Sequence, residues 1–285
     1  MSSSLKTQKN IYSLINRYLG RVSQVEAEAL LSYIFKCSRS ELYVNELIID
    51  EQIERLYDLL IARRTSGEPL QHITGIAEFM EMDFNVDKDV FIPRPETEIL
   101  VNEVSGDIRN RERASKVLDL CTGSGNIAIG LARSVPVAEI IATDISESAL
   151  DRARMNSVSH GTEKRVLFYK GDLFDALPLD KKYKFDIIVC NPPYVKRGDI
   201  GLLQEEVQAE PRIALDGGLD GLDFYRQIAG KALAYLSPGG SLFLEIGAGQ
   251  AEDTSVIFES KGKFRVRKII KDFAGIDRVL WIDLL

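Results

Sequence analysis

Histidine is nearly missing from this chain. Only His72 and His160 occur among 285 residues. That is too few for a multi-histidine metal centre, and it all but excludes a Ser-His-Asp triad before any geometry is considered. Cysteine is sparse as well. Cys37, Cys121 and Cys190 form no CxxC pair, which argues against a disulfide framework or a cysteine zinc site. No apolar run approaches the ~18 residues of a membrane span. The opening stretch MSSSLKTQKN is polar and lacks the apolar core of a signal peptide, so a cytoplasmic protein with no membrane partner is expected. An excess of positive charge is absent too. Lys and Arg number 36 against 43 Asp and Glu, a formal net charge of −7. That balance disfavours wide non-specific contact with nucleic-acid phosphates, while leaving room for a local basic patch.

Proline is absent from residues 1–68, which hold only two glycines, Gly20 and Gly67. All nine prolines and nineteen of the 21 glycines lie beyond. The first part therefore reads as helical. Leu14, Ile15, Tyr18 and Leu19 form one apolar face, and Val25, Leu30, Leu31, Ile34 and Phe35 a second. Ile49, Ile53, Leu56, Tyr57, Leu60 and Ile61 form the cleanest 3.6-residue stripe. Ser23 and Asn45 are expected helix starts, and Gly67 a stop. Residues 1–75 carry nine Lys/Arg and nine Asp/Glu, so the acidity lies in the remainder. Residues 76–96 read as a short hairpin leading into an extended loop, Ile92 to Pro95, with a helix starting near Thr97. His72, in the stretch between the two parts, is expected to pack or hydrogen-bond rather than catalyse.

From Lys116 onward strand-like and helix-like segments alternate. KVLDLC, EIIAT, VLFYK, FDIIVC and SLFLEI are β-rich, with helical stretches such as 125–134, 146–159 and 223–236 between most of them. Such alternation predicts an α/β domain with a mostly parallel sheet and helices on both faces. FRVRKII and RVLWIDLL are separated only by KDFAGID. A connection that short is no helical crossover, so these two strands should be antiparallel. Trp281, in the last of them, is expected in the core. A doubly wound, Rossmann-like sheet ending in an antiparallel pair resembles the common class I of S-adenosylmethionine-dependent methyltransferases.

Three segments carry chemistry. In VLDLCTGSGNIAIGLA a strand runs into Cys121, Thr122, Gly123, Ser124 and Gly125, and then into a helix. Glycine suits a tight turn where a ligand meets the backbone, and the helix N-terminus offers unpaired N–H groups. Nineteen residues after Gly125 comes Asp144, an acid placed to accept hydrogen bonds from both hydroxyls of a ribose. Asp172 and Leu173 follow the third strand of the alternating region. Asp172 either contacts an adenine amino group there, with Leu173 against the ring, or simply caps the next turn.

The third segment is Asn191-Pro192-Pro193-Tyr194, straight after FDIIVC. The two prolines restrict the backbone, so the preceding carbonyls point in set directions. The Asn191 amide oxygen and the Pro192 carbonyl can both accept from one planar –NH2 group, and Tyr194 offers a face for a planar amide or base. Asn191, Pro192 and Tyr194 are therefore the expected catalytic residues, Asn191 to Tyr194 the substrate site, with Asn191 also bordering the cofactor. Such a pocket holds a nitrogen lone pair toward a methyl sulfonium. No general base is evident and none is required, because positioning supplies up to about 7–11 kcal/mol in well-aligned systems, and the oxygens stabilise the charge that develops on nitrogen.

At this tetrapeptide the sequence resembles the amino-methyltransferases, several families of which share it, DNA adenine methyltransferases included. The rest of the chain narrows the choice. EPLQHITGIAEF at 68–79, FIPRPETEILV at 91–101, VLDLCTGSGNIAI, NPPYV, the EP…ALDGGLDGLDFYRQI run through 210–228 and LEIGAGQ at 244–250 together resemble the HemK/PrmC family. These are the peptide chain release factor N5-glutamine methyltransferases. The resemblance implies S-adenosyl-L-methionine as cofactor, no metal, and the glutamine of the Gly-Gly-Gln loop of bacterial release factors as substrate. It maps the cofactor loop onto Cys121 to Gly125, the ribose acid onto Asp144, the adenine side onto Leu173 and the glutamine site onto Asn191 to Tyr194. It implies a helical docking domain at 1–75, a hairpin and linker at 76–96 and a catalytic domain at 97–285. It also sets the IPRPETE loop near the cofactor, where Arg94 and Glu98 either order that wall or belong to a structural linker strapped to the catalytic domain. The family usually has glycine at the position of Cys121, and some members have tryptophan at that of Leu173. The rival readings are a ribosomal-protein glutamine methyltransferase, a nucleic-acid amino-methyltransferase, for which the acidic balance is a poor fit, and an inactive cofactor-binding scaffold.

Overall fold

Leu14, Leu30, Leu31, Tyr57, Leu60 and Ile61 recur at helical spacing near the start of the chain and are buried together in one small core. The structure is a computed structural model that describes residues 11–111, 114–178 and 182–285; the MSSSLKTQKN stretch lies outside them. The early helices are α1 (Ile11–Tyr18), α2 (Gln24–Phe35), α3 (Glu41–Val44), α4 (Glu51–Thr65) and α5 (Leu70–Thr74). Ser23 starts α2 through a reciprocal capping box. Its hydroxyl accepts from the Glu26 N–H at 3.2 Å, and Glu26 accepts from the Ser23 N–H at 2.8 Å, worth about 1 kcal/mol. Asn45 starts nothing: it closes α3, and Asp50 caps α4 by accepting from the Ile53 N–H at 2.8 Å. Asn45 is taken up as the extended C-cap of α3, so the start of α4 falls five residues later, at Asp50. Ser66, one residue before Gly67, closes α4. Val25 and Leu56 are exposed rather than buried. His72 is half-buried in α5. The contacts of the chain define two units, and residues 204–209 cluster with residues 1–75. Within that unit Arg64 bridges Glu26 of α2 and Glu206.

The second unit comprises residues 76–203 and 210–285. Its hairpin is β1 (Ile76–Phe79) and β2 (Met82–Asn85), followed by α6 (Pro95–Asn110). The helix begins two residues before Thr97, because Pro95 takes the first helical position, where no N–H is needed. Then come β3 (Lys116–Leu120), α7 (Asn126–Ser134), β4 (Glu139–Asp144), α8 (Glu147–Ser159), β5 (Val166–Lys170) and β6 (Phe185–Cys190). The short α9 (Glu205–Gln208) lies in the segment that clusters with the first unit. The chain ends with α10 (Asp223–Tyr235), β7 (Leu236–Glu245), α11 (Ala251–Glu259), β8 (Phe264–Lys271) and β9 (Asp277–Leu284).

The seven-stranded sheet runs β5-β4-β3-β6-β7-β9-β8. Its first five strands are parallel, and β9 is antiparallel to both neighbours. Both layers follow from alternation along the strands. Val117, Ile187 and Val189 pack with α6, α7 and the Phe79–Phe84 pair of the hairpin. Leu118, Leu120, Ile188 and Cys190 pack with α10 and α11. The expected antiparallel pair is present, but its second strand sits inside the first. Leu280 and Ile282 of β9 are fully buried opposite Leu244 and Leu242, whereas β8 exposes Arg265, Arg267, Lys268 and Lys271 and takes the edge. Charge on an edge strand blocks further pairing. Trp281 is only partly buried, with the Arg267 guanidinium 4.4 Å from its ring centre. Among the described residues no helix is long and apolar enough to cross a membrane.

Candidate active site

All five parallel strands end at one edge, and the residues singled out in the sequence lie there. After β3 the backbone turns through Cys121 at φ +58°, Gly123 at +55° and Gly125 at +82°. Left-handed backbone costs a side-chain-bearing residue about 1–2 kcal/mol, so Cys121 occupies a position where glycine would sit without strain. At Gly125 a Cβ would also meet Ile129 Cδ1 at 3.0 Å and Ala153 Cβ at 3.1 Å, so this glycine lets α8 press against the start of α7. Asp144 is tied to the same turn. Its Oδ2 accepts from the Gly123 N–H at 2.8 Å and its Oδ1 from the Ser146 N–H at 2.9 Å. Burial raises its pKa while these backbone donors oppose the rise. Asp172 is exposed, with no capping hydrogen bond, whereas Leu173 is buried at φ +46°.

Sequence reading missed Asp119. It lies beneath the glycine turn on β3 and is fully buried. Its Oδ2 accepts from the Thr122 hydroxyl at 2.6 Å. Among the described residues its Oδ1 has no partner in hydrogen-bond geometry, although the Ala128 N–H favours its charge. Burial first, and then the Asp144 charge, push it up to about 7.

The tetrapeptide Asn191–Tyr194 follows β6, the immediate neighbour of β3. Leu120 pairs with Cys190, so Cys121 and Asn191 leave the sheet side by side. The Cys190 thiol, buried and raised well above its ordinary pKa by that burial, contacts Cys121. Asn191 Nδ2 donates to Thr97 Oγ1 at 3.2 Å, and Thr97 Oγ1 donates to Glu245 Oε2 at 2.7 Å. The Tyr194 hydroxyl lies 3.5 Å from Glu245 Oε1. Thr97 and Glu245 are both buried. Neither was singled out from sequence. A signal existed for Glu245 and Asp119: each is a carboxylate at or near the carboxyl end of an otherwise apolar strand.

The segments around the tetrapeptide hold it in place. Gln250 Nε2 donates to the Tyr194 carbonyl at 2.9 Å, while its Oε1 accepts from the Gly247 N–H at 2.9 Å. Val195 exchanges backbone hydrogen bonds with Leu215 and Gly217. A Cβ on Gly217 would meet Tyr194 Cα at 2.8 Å, so only glycine lets this loop lie against the tetrapeptide. In the PRPETE segment Arg94 pairs with the buried Glu210, which also accepts from the Ile92 N–H at 2.9 Å. Glu98 accepts from the Met80 N–H at 2.7 Å and holds the β1–β2 turn. Thr97 is thus the member of that segment that reaches Asn191, while Arg94 and Glu98 brace it. Among the described residues no cluster of His, Cys, Asp and Glu could hold a metal.

Comparison with known proteins agrees with this layout. Residues 20–75 match the family model described as PrmC N-terminal domain, and residues 111–245 match a methyltransferase domain. A methyltransferase structure from Pyrococcus furiosus shares the fold, with TM-score 0.52 and 18% identity over 78% of this chain and 96% of its own. The release factor glutamine methyltransferase of Geobacter sulfurreducens is 43% identical over 90% of this chain and 88% of its own. That of Clostridium acetobutylicum is 40% identical over 94% of both. Identity at that level, sustained along nearly the whole chain and through both matched domains, makes this protein a member of the release factor glutamine methyltransferase family.

Proposed function

We propose that the chain transfers a methyl group from S-adenosyl-L-methionine to the side-chain amide nitrogen of the Gly-Gly-Gln glutamine in bacterial peptide chain release factors, in the cytoplasm. The pairing of Leu120 with Cys190 carries the reading, because it sets the amide-gripping tetrapeptide directly beside the glycine turn. The turn suits the cofactor. The position of a Cβ on Gly123 is open, with Val90 no nearer than 4.0 Å, and Asp119 presents a buried carboxylate oxygen that has no hydrogen-bond partner among the described residues. When bound, S-adenosylmethionine supplies an electrophilic methyl group on a sulfonium.

The protein's own residues do the remainder. Asp144 accepts from the ribose hydroxyls, Asp119 offsets positive charge above the turn, and Leu173 borders the adenine. Asn191 Oδ1 and the Pro192 carbonyl accept the two N–H groups of the glutamine amide, and Tyr194 lies against its plane. Accepting both hydrogens raises electron density on a nitrogen whose lone pair is otherwise delocalised. The two oxygens would then stabilise the positive charge that nitrogen gains as the N–CH3 bond forms and the S–CH3 bond breaks to leave a neutral thioether, and the proton would pass to solvent afterwards. The helical unit, residues 1–75, serves to dock the protein substrate.

The decisive experiment gives the protein labelled S-adenosylmethionine together with a release factor, a ribosomal protein and DNA, and locates the methyl group by mass spectrometry. Label on the Gly-Gly-Gln glutamine supports the reading; label only on the ribosomal protein or on DNA rejects it. A second expectation concerns the cofactor alone. Asp144→Ala should weaken S-adenosylmethionine binding about 10²-fold or more by calorimetry, since it removes two charge-assisted hydrogen bonds at about 1.5–3 kcal/mol each. An unchanged dissociation constant removes Asp144 from the cofactor site.

A further inference from the structure

A carboxamide is nearly symmetrical in shape but not in chemistry. Turning Asn191 over exchanges an acceptor oxygen for a donor –NH2 at the substrate face. A substrate amide arriving with two N–H donors is gripped in only one of these orientations. Selection falls to the Thr97 hydroxyl, which has one hydrogen to give and lone pairs to receive. An ionised Glu245 carboxylate can only accept. Lying 2.7 Å from Thr97 Oγ1, it takes that hydrogen. Thr97 then meets Asn191 as an acceptor, and it is Nδ2 that stands 3.2 Å away. The amide oxygen is thereby turned away from Thr97.

We propose that Thr97 and Glu245 are positioning residues that hold the Asn191 carboxamide with its oxygen toward the substrate glutamine, and that the ionised form of Glu245 is the competent one. The inference rests on the reading of Asn191 as the amide grip. It gives the threonine of PRPETE and the glutamate of LEIGAGQ one joint task, although they lie 148 residues apart.

Ionisation of Glu245 is finely balanced. Arg278 on β9 favours the charge and Glu96 on α6 opposes it; Thr97 and the Tyr194 hydroxyl stabilise it by hydrogen bonding. Tyr225 on α10 faces it too and donates to the Glu245 carbonyl at 2.9 Å. Burial outweighs these and pushes Glu245 up to about 7. Below that pH a protonated Glu245 donates to Thr97 Oγ1. The threonine hydrogen then becomes available to Asn191 and draws the amide oxygen back. Turnover should therefore rise with pH through about 7 and level off above it.

The test uses the full chain, saturating S-adenosylmethionine and a release factor substrate, with kcat followed from about pH 5.5 to 9. Saturation takes any effect of Asp119 on cofactor affinity out of the profile, and an inflection carried by Asp119 within the complex would survive in Glu245→Gln. Thr97→Val, which deletes the hydroxyl at constant shape, should lower kcat about 10²-fold, as misplacement of a reacting group does. Thr97→Ser should restore most of it. Glu245→Gln should be slow and lose the inflection near 7, and cofactor affinity should hold throughout. The proposal is overturned if Thr97→Val turns over at the wild-type rate, if Thr97→Ser is as slow as Thr97→Val, or if Glu245→Gln keeps the inflection. Should Thr97→Val melt below the assay temperature, the profile of Glu245→Gln decides. An inactive Asn191→Ala beside a fully active Thr97→Val rejects the relay alone, whereas a fully active Asn191→Ala rejects the grip on which it rests.

Discussion

Replacing Asn191 with alanine should lower kcat by about 10³-fold while leaving S-adenosylmethionine affinity within about twofold. On the proposed reading the two effects separate, because Asn191 would serve the nucleophile and the turn at Cys121–Gly125 with Asp144 the cofactor. Loss of one preorganised contact to a developing charge costs about 10²–10³ in rate. Here the same contact also aims the lone pair, and orientation is worth several kcal/mol more. Alanine leaves Pro192 as the sole acceptor, so the amide is free to swing about one hydrogen bond. Calorimetry with the cofactor and single-turnover methyl transfer on a release factor measure the two quantities independently. Lost cofactor affinity with unchanged turnover of the bound enzyme would move Asn191 into the cofactor site and out of the grip.

The second large effect is on stability. Arg94→Met should destabilise the fold by about 3 kcal/mol at neutral pH, the low end for breaking a buried ion pair, because Arg94 itself is partly exposed. Its partner Glu210 is 1% exposed, against 29% for Arg94. Without the guanidinium, Glu210 keeps the Ile92 N–H at 2.9 Å as its one hydrogen-bond donor among the described residues. Burial already holds the Glu210 pKa above its ordinary value, with Arg94 acting against it. Removing Arg94 lets it rise further. A folded acid with a raised pKa binds protons that the unfolded chain has released, so stability falls as pH rises from the unfolded pKa through the folded one. The penalty should thus be largest near pH 8 and smaller near pH 5. Urea midpoints of both proteins at the two pH values check this. An equal loss at both would show that lost packing over Phe91, whose ring centre is 4.8 Å from the guanidinium carbon, outweighs the charge.

The strand-and-helix alternation, the antiparallel end, the glycine turn with its acid and the Asn-Pro-Pro-Tyr rim were all legible from the chain. Each is written in neighbouring residues. Apolar spacing selects an element, and proline or glycine marks where it ends. Helix starts were less legible: Asn45 suits an N-cap but closes α3 instead, and Asp50 caps α4. The strand order at the sheet's end was not legible either, because it depended on which strand of the hairpin found an apolar partner in β7.

What the sequence by itself determined is the set of parts: a helical unit, a doubly wound domain, a glycine turn and an Asn-Pro-Pro-Tyr rim. Only the tertiary structure decided how that rim is oriented. Thr97 meets Asn191 across 94 residues of chain, and Glu245 meets Thr97 from the far side of the catalytic domain's sequence. No periodicity links such positions. A hydrogen bond depends on distance and angle in space, and residues far apart in the chain acquire these only when the sheet, α6 and the loops have closed around them.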